Sequence, residues 1–304
     1  MSKIQPKRPK KRRVSGMLIF GLTFFLFLAV FGAVMLWGMA EFWRQTSVNP
    51  SSEQLSSDNA SDETSFDGSD IRSLLIVTEL NSHAQGFVLV SADPAVDRIR
   101  AVAIPRETAV AVGTEQTRLF ELYKSQDMRT VRDAVAGLLG VTVDNYAVIT
   151  YSNIEKVISH FESGLIFEVP ENLHYSAPDG SFSIQLTSGA HVLTGPQTTA
   201  MLRYPSWQGG RRQTAKIQAQ VVAALINQYM TEGRIERGPA DFTALVNLVR
   251  SDILASQYYT AKEGLDHLAG RNDGSLCSVV FLEGEYVGNG DAMRFEVADI
   301  AIPK

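Results

Sequence analysis

A long run without a charged side chain, residues 17–39, constrains this sequence more than any other feature. A helix rises about 1.5 Å per residue, so a run of this length is enough to cross a hydrocarbon core of about 30 Å. Seven lysine and arginine residues and no acidic residue precede the run. Because basic flanks stay on the cytoplasmic side of a membrane, we predict a single-pass cell-membrane anchor at 17–39 with a cytoplasmic head at 1–16 and an extracytoplasmic C-terminal part.

A cleaved signal peptide is the alternative to an anchor. Gly38 and Ala40 are small residues that a signal peptidase could recognise. The apolar core of a secretory signal spans about 7 to 15 residues. The run in this sequence is longer, so the pattern favours an uncleaved anchor.

The chain after the anchor divides into a linker and one domain. Residues 40–70 become rich in Ser, Asn, Asp and Glu beyond position 45 and contain few apolar side chains. Such a segment cannot bury enough surface to offset its ordering entropy, so we predict a flexible linker at 40–70. The remaining stretch, 71–304, has the length of a single extracytoplasmic domain.

Charge limits the partners of that domain. Without the seven basic residues of the head, 21 basic side chains stand against 33 acidic ones, a net charge of −12. A general attraction to nucleic acid is therefore excluded, and an anionic ligand needs a local basic cluster. The single cysteine, Cys277, cannot form an intrachain disulfide and is interpreted as a small core residue.

Strand-like and helix-like segments are mixed along the predicted domain. Short apolar or β-branched runs predict strands at 74–77, 87–90, 99–104, 165–169, 278–281 and 294–297. Helices are predicted at 128–139, 154–161, 196–203, 212–230 and up to 270. Three residue pairs have the spacing of a capping box: Ser152 with Glu155, Thr194 with Gln197 and Thr260 with Glu263. We predict an α/β (mixed α+β) fold with a central mixed β-sheet and helices on both faces, preceded by one transmembrane helix.

Arginine residues fall at the ends of these elements. Arg106 follows the strand at 99–104, which Pro105 ends, and Arg203 ends a predicted helix. Arg211 and Arg212 open the next helix. Open α/β sheets bind ligands at the carboxyl ends of their strands, and converging guanidinium groups suit a phosphate or pyrophosphate. The alternative is that these arginines are solvated or paired with surface acids, and their spacing alone slightly favours it.

Several segments resemble, in the same order, motifs of the LytR-CpsA-Psr proteins of bacterial cell envelopes. They stand at 104–108 (I-P-R-E-T), 118–123 (R-L-F-E-L-Y), 157–170, 188–204 and 212–213 (R-Q). The resemblance implies a membrane-anchored phosphotransferase that takes a glycopolymer from a polyprenyl pyrophosphate carrier and joins it to peptidoglycan. It further implies Mg²⁺ held by acidic residues and an apolar tunnel for the lipid. The expected partners are thus the carrier-linked glycopolymer, peptidoglycan and the membrane, with no nucleic acid.

The same resemblance suggests site residues. It implies catalytic roles for Arg106 and Glu107 and a metal ligand in Glu79. Arg211 is a further candidate because Gly209 stands where the family has an arginine. The whole set expected to bind pyrophosphate is Arg106, Arg118, Arg203, Arg211, Arg212 and Gln213.

Departures from the family pattern leave more than one function open. Gln85 stands where the family has an aspartate, and Pro205 stands where it has a second arginine. An amide is a poorer ligand for Mg²⁺ than a carboxylate. The sequence therefore supports either an active transferase or a catalytically impaired relative that binds the polyprenyl-linked glycopolymer or regulates envelope assembly. An exported structural domain without a ligand is the third hypothesis.

Overall fold

The computed structural model describes residues 66–67, 70–160, 163–230 and 238–298. All of them belong to the second of the two compact units into which the chain divides, Thr64–Lys304. The predicted head and anchor lie outside the described residues, as does most of the predicted linker. Within the described ranges, no helix combines the length and the apolar character needed to cross a bilayer.

A six-stranded mixed sheet forms the centre of the domain. In spatial order its strands are β11 (Arg250–Ser251), β6 (Asn145–Thr150), β1 (Arg72–Leu80), β2 (His83–Asp93), β3 (Arg98–Ile104) and β12 (Cys277–Phe281). β2 runs antiparallel to both β1 and β3, whereas β6 is parallel to β1 and β12 is parallel to β3. Strands β1, β3, β6 and β12 therefore point the same way, and their carboxyl ends share one edge. This confirms the predicted central mixed sheet.

Helices and two-stranded ribbons complete the described part of the domain. The helices are α1 (Leu119–Ser125), α2 (Met128–Leu139), α3 (Tyr151–His160), α4 (Gly195–Leu202), α5 (Gly210–Tyr229), α6 (Gly238–Val246) and α7 (Ala255–Gly270). The ribbons pair β4 (Ala109–Val112) with β5 (Glu115–Arg118), β7 (Leu165–Val169) with β10 (Gly189–Leu193), β8 (Leu173–Ser176) with β9 (Ser183–Leu186), and β13 (Gly284–Val287) with β14 (Arg294–Val297). Short 3₁₀ turns stand at Pro94–Val96 and Gly290–Ala292.

Helices pack on both faces of the central sheet because its strands alternate apolar side chains between the faces. In β3, Val102 and Ile104 belong to a core that they share with α1 and α2. Ile99, Ala101 and Ala103 belong to a second core with α5 and α7. Helix α5 contributes three small side chains to this second core, which let its backbone approach the sheet closely. They are Ala215, Ala219 and Ala223.

The helix boundaries confirm one predicted capping box. Gln197 Oε1 accepts a hydrogen bond from the Thr194 N–H at 2.9 Å, and Thr194 Oγ1 accepts one from the Gln197 N–H at 3.4 Å. The cap predicted at Ser152 is wrong because α3 begins one residue earlier, which places Ser152 inside the helix. Glu155 instead accepts a hydrogen bond from the Thr199 hydroxyl of α4 at 2.7 Å. A tertiary contact therefore engages the acidic residue that the local pattern assigns to a cap.

The cap predicted at Thr260 with Glu263 is also wrong. Helix α7 begins at Ala255, so both residues lie within the helix. Gln257 Oε1 accepts a hydrogen bond from the Leu254 N–H at 2.7 Å and closes the first turn. The helix ends at residue 270, as predicted.

Cys277 is a buried core residue, as the sequence predicts. Asn227 of α5 donates to its carbonyl at 2.9 Å and accepts from its N–H at 2.7 Å, which fixes the start of β12 against the helix. Burial raises the pKa of the Cys277 thiol to about 12. Its thiolate is therefore scarce at neutral pH, and the side chain serves packing.

Candidate functional site

The first site residues follow β3 on a tight turn. The Pro105 carbonyl accepts hydrogen bonds from the Thr108 N–H at 3.0 Å and from the Thr108 hydroxyl at 2.6 Å. The Arg106 carbonyl accepts one from the Phe120 N–H at 3.0 Å. Arg106 and Glu107 therefore emerge with a fixed backbone at the carboxyl edge of the sheet, where the sequence places them.

A cavity of about 250 Å³ opens beside this turn. Arg106, Glu107 and Arg211 line one part of it, and Tyr151 follows β6 just as the turn follows β3. Other lining residues include Gln85, Gly86, Ile104, Leu202, Ala215 and Gln218. The cavity thus lies where two parallel strands end, which is the usual ligand position in open α/β sheets.

Two guanidinium groups share one carboxylate in this cavity. Arg211 Nη1 donates to Glu107 Oε1 at 2.7 Å, and Arg106 Nε lies 3.4 Å from the same oxygen. The Glu107 side chain is only 5% exposed, whereas those of Arg106 and Arg211 are 36% and 50% exposed. The buried acid therefore forms a hydrogen-bonded ion pair with Arg211 and an ion pair without a hydrogen bond with Arg106 Nε, and the three side chains carry a net charge of +1. Such an arrangement can bind an anion through charge-assisted hydrogen bonds.

Tyr151 adds a neutral donor that the sequence analysis missed. Its side chain is buried, and burial raises the pKa of its hydroxyl even though the positive charges of Arg203 and Arg106 act in the opposite direction. The hydroxyl therefore stays protonated at neutral pH and can donate a hydrogen bond. The signal that could have found this residue is the apolar run at 146–149, which the sequence analysis did not assign to a strand.

Gln85 and Gln218 lie next to each other beside Arg106 and are joined by a hydrogen bond. Gln85 Oε1 accepts a hydrogen bond from Arg106 Nη1 at 3.3 Å, and the Gln85 backbone carbonyl accepts one from Gln218 Nε2 at 3.0 Å. Gln218 is 3% exposed. Its Oε1 lies only 1.1 Å from where a Cβ on Gly86 would stand, so a side chain at position 86 would displace the amide. Sequence reasoning could not pair these residues, because they lie on β2 and α5.

Arg118 is held away from the cavity by structural contacts. It pairs with Glu121, and its Nη1 donates to the carbonyls of Asp291 and Met293. Its guanidinium lies 4.7 Å from the centre of the Phe120 ring, and the guanidinium of Arg106 lies 4.9 Å from the same ring. Arg118 thus supports the ring beneath Arg106 and is not among the residues that line the cavity.

Three further residues of the predicted set do not line the cavity. The guanidinium of Arg203 stacks on the Phe182 ring at 4.0 Å and donates to the Ser181 hydroxyl at 2.8 Å. Arg212 Nη1 donates to the Gly284 carbonyl at 3.4 Å. Gln213 packs beside Gly209 at the start of α5. The structure therefore brings together Arg106 and Arg211 from that set, with the predicted catalytic residue Glu107 between them.

Glu79, the predicted metal ligand, stands at the end of β1 with partners of its own. It accepts a hydrogen bond from the Tyr123 hydroxyl, and its Oε2 lies 3.6 Å from Arg250 Nη2. Burial and this hydrogen bond raise the pKa of Tyr123 to about 12, so the hydroxyl remains a donor to the carboxylate. Glu79 is not among the residues that line the cavity.

The donor atoms of the site do not fit the Mg²⁺ that the resemblance implies. Mg²⁺ in phosphoryl-transfer sites is held by one or two carboxylates together with water and phosphate oxygens. Glu107 is engaged by two arginines, Glu79 by Tyr123 and Arg250, and the Gln85 amide oxygen by Arg106. Across the ranges that the structure describes, no three acidic, histidine or cysteine side chains cluster where they could hold a metal ion.

Comparisons with known proteins identify solved structures with the fold of this chain. A search of curated proteins found no match. Among solved structures, a putative transcription regulator from Eubacterium siraeum has a TM-score of 0.67 at 14% identity, covering 82% of this chain and 95% of its own. Bacillus subtilis TagV has a TM-score of 0.62 at 16% identity, covering 75% and 91%. TagT bound to LI-WTA has a TM-score of 0.56 at 15% identity, covering 78% and 88%.

These structures share the fold of this chain at an identity too low to carry anything else. The sequence itself gives the family, because the family model for LytR_cpsA_psr matches residues 43–273, well over half of the chain. The match includes β1 to β11, the turn after β3 and the helix that carries Arg211. The chain therefore belongs to the LytR_cpsA_psr family.

Proposed function

We propose that this chain is a cell-envelope phosphotransferase that moves a glycopolymer from a polyprenyl pyrophosphate carrier to peptidoglycan. The observation that carries the proposal is the convergence of Arg106 and Arg211 on the buried Glu107 at the wall of one cavity. Family membership supports the same conclusion, as does the likeness to the structure of TagT bound to LI-WTA. We further propose that residues 17–39 anchor the domain outside the cell, close to its lipid-linked donor.

The chemistry follows from the charges of the cavity wall. A hydroxyl of the acceptor attacks the phosphorus that bears the glycopolymer, a new P–O bond forms, and the bond to the oxygen of polyprenyl phosphate breaks. The leaving phosphate takes the electron pair, and the hydroxyl proton passes to solvent. Arg106 and Arg211 bind the pyrophosphate and stabilise the negative charge that develops on it, while the Tyr151 hydroxyl donates a hydrogen bond. Glu107 positions the two guanidinium groups.

The apolar side of the cavity suits the lipid end of the donor. Ile104, Leu202 and Ala215 line the cavity along with the arginines. An apolar surface next to a pyrophosphate site gives the first carbons of a polyprenyl chain a place away from water. The presence of apolar residues beside the arginines thus supports a pyrophosphate that carries a lipid.

Binding without turnover is the second candidate function. The observation that favours it is that Glu107, the single carboxylate among the lining residues, is tied to two arginines and is therefore poorly placed to accept a proton. A catalytically impaired relative would retain the carrier-linked glycopolymer on Arg106 and Arg211 and act in envelope assembly through that binding.

The full chain in lipid nanodiscs tests the proposal. The donor is a disaccharide linked to a farnesyl-length pyrophosphate, the acceptor is peptidoglycan, and the measurement is release of polyprenyl phosphate together with sugar bound to the wall polymer. Arg106→Ala should reduce donor affinity about 10- to 100-fold, since a hydrogen bond to a charged group contributes about 1.5–3 kcal/mol. The matched control is Arg129→Ala, which removes the same charge from an exposed position on α2.

The outcomes separate the hypotheses. Turnover that falls with Arg106→Ala but not with Arg129→Ala supports the transferase. Donor binding without product selects the binding function. A wild-type chain that neither binds nor transfers the donor would leave the third hypothesis, a structural domain.

A further inference from the structure

We propose that the cavity binds its pyrophosphate without a divalent cation, because Arg211 engages the carboxylate of Glu107 and the amide of Gln85 stands where a metal site would need a carboxylate. The inference rests on the proposed function, because it concerns how the same cavity neutralises the same anion. It goes further in naming which residues make a metal unnecessary.

The charge of the cavity is the first argument. Arg106 and Arg211 lie within 3.4 Å and 2.7 Å of one Glu107 oxygen, so the wall is already positive before a ligand enters. A divalent cation in the same cavity would stand beside two guanidinium groups with a single, already shared carboxylate to hold it. The divalent cation and the two guanidinium groups carry charges of the same sign, and such charges repel strongly in a partly buried site. A pyrophosphate, by contrast, matches the positive wall directly.

The orientation of the Gln85 side chain is the second argument. Its Oε1 accepts from Arg106 Nη1 at 3.3 Å, and Arg106 Nη1 also donates to the Ala84 carbonyl at 3.3 Å. The amide oxygen, which is the one oxygen that Gln85 could offer a metal from its side chain, therefore points to a cation that is part of the protein. Gln85 is a positioning residue for Arg106.

Gln218 locks this arrangement from the other side. Its Nε2 donates to the Gln85 backbone carbonyl at 3.0 Å. The reverse orientation of the amide would set two carbonyl oxygens against each other, so its Oε1 must face Gly86. Because Gln218 is 3% exposed and fills the space above Gly86, the segment that carries Gln85 cannot shift toward α5. The backbone that carries Gln85 is thus held in place.

Binding of geranyl pyrophosphate to the full chain tests the inference. Equilibrium dialysis is performed with 5 mM Mg²⁺ and again with EDTA, and the free probe is corrected for its own Mg²⁺ complex. We expect dissociation constants that agree within about twofold in the two conditions, and we expect Arg211→Ala to weaken binding about tenfold in both. Calorimetry with Mg²⁺ alone should give no saturable heat.

Each result has one meaning. Binding that weakens tenfold or more in EDTA overturns the metal-independent site and leaves the proposed function standing. Absence of binding in both conditions overturns both. An effect of Arg211→Ala no larger than that of the exposed control Arg129→Ala overturns the role given to Arg211.

The variant Gln85→Asp probes the residue that the proposal singles out. A carboxylate at this position competes with the probe for Arg106 and supplies an oxygen that Mg²⁺ prefers. We expect its affinity for geranyl pyrophosphate to fall at least fivefold in EDTA and to recover at least partly with Mg²⁺. Equal affinity of this variant in the two conditions would show that Gln85 does not decide the metal requirement. Near-UV circular dichroism confirms that each variant is folded.

Discussion

Replacement of Arg106 and Arg211 together by alanine is expected to lower the free energy of unfolding by about 3–5 kcal/mol, because the buried Glu107 carboxylate then loses the two guanidinium groups that pair with it. The carboxylate of Glu107 is 5% exposed and has these two guanidinium groups as its cationic partners. Each single variant should cost less than half as much, since Glu107 keeps one partner. The measurement is urea denaturation of the three variants. A change in the midpoint at constant slope reports a change in stability, whereas a change in the slope reports a change in compactness.

The control adds Glu107→Gln to the double variant. An amide removes the buried charge, so this triple variant should recover most of the lost stability. It should not recover binding of geranyl pyrophosphate, since the two guanidinium groups remain absent. A triple variant as unstable as the double variant would mean that the arginines stabilise the domain through packing and not through Glu107.

The sequence predicts Arg106, Arg211 and Arg212 for the site, but of the last two only Arg211 lines the cavity. Arg106 follows a buried strand and a proline, and both signals are local. Arg211 and Arg212 are consecutive on a helix, where side chains point about 100° apart, so the start of the helix decides which one reaches the cavity. That start depends on Gly210, whose φ of +59° sets the direction of α5. The sequence therefore predicts an arginine from this pair but cannot choose between the two.

Partners distant in the sequence explain the remaining differences. Arg118 stands at a position that resembles the family motif. Its side chain, however, donates hydrogen bonds to the carbonyls of Asp291 and Met293, which lie far along the chain. Glu79 is held by Tyr123 and Arg250. Local patterns cannot rank such contacts, because the competing partners come from different strands and helices. The strands and their order along the chain were predictable, since apolar runs report burial directly.

Replacement of Phe295 by alanine is expected to cost about 3–5 kcal/mol of folding stability, the range for a fully buried aromatic residue. Phe295 is 1% exposed, and its ring lies 5.1 Å from that of Tyr286. Its N–H also donates to the Glu107 carbonyl at 2.9 Å, so β14 holds the turn that carries the charged cavity wall. The ribbon of β13 and β14 lies beyond residue 273, where the family match ends. We therefore expect Phe295→Ala also to weaken binding of geranyl pyrophosphate.

Two further variants make this expectation specific. Phe295→Leu keeps most of the volume and the backbone hydrogen bond, so it should cost less than about 1.5 kcal/mol and leave binding near that of the wild type. Tyr259→Ala removes an aromatic side chain that is 62% exposed on α7 and should change stability by about 0.5 kcal/mol or less. Denaturation and dialysis are performed on all three. If Phe295→Ala lowers stability but leaves affinity unchanged under conditions where it is fully folded, the Phe295 ring supports the domain without influence on the arginines.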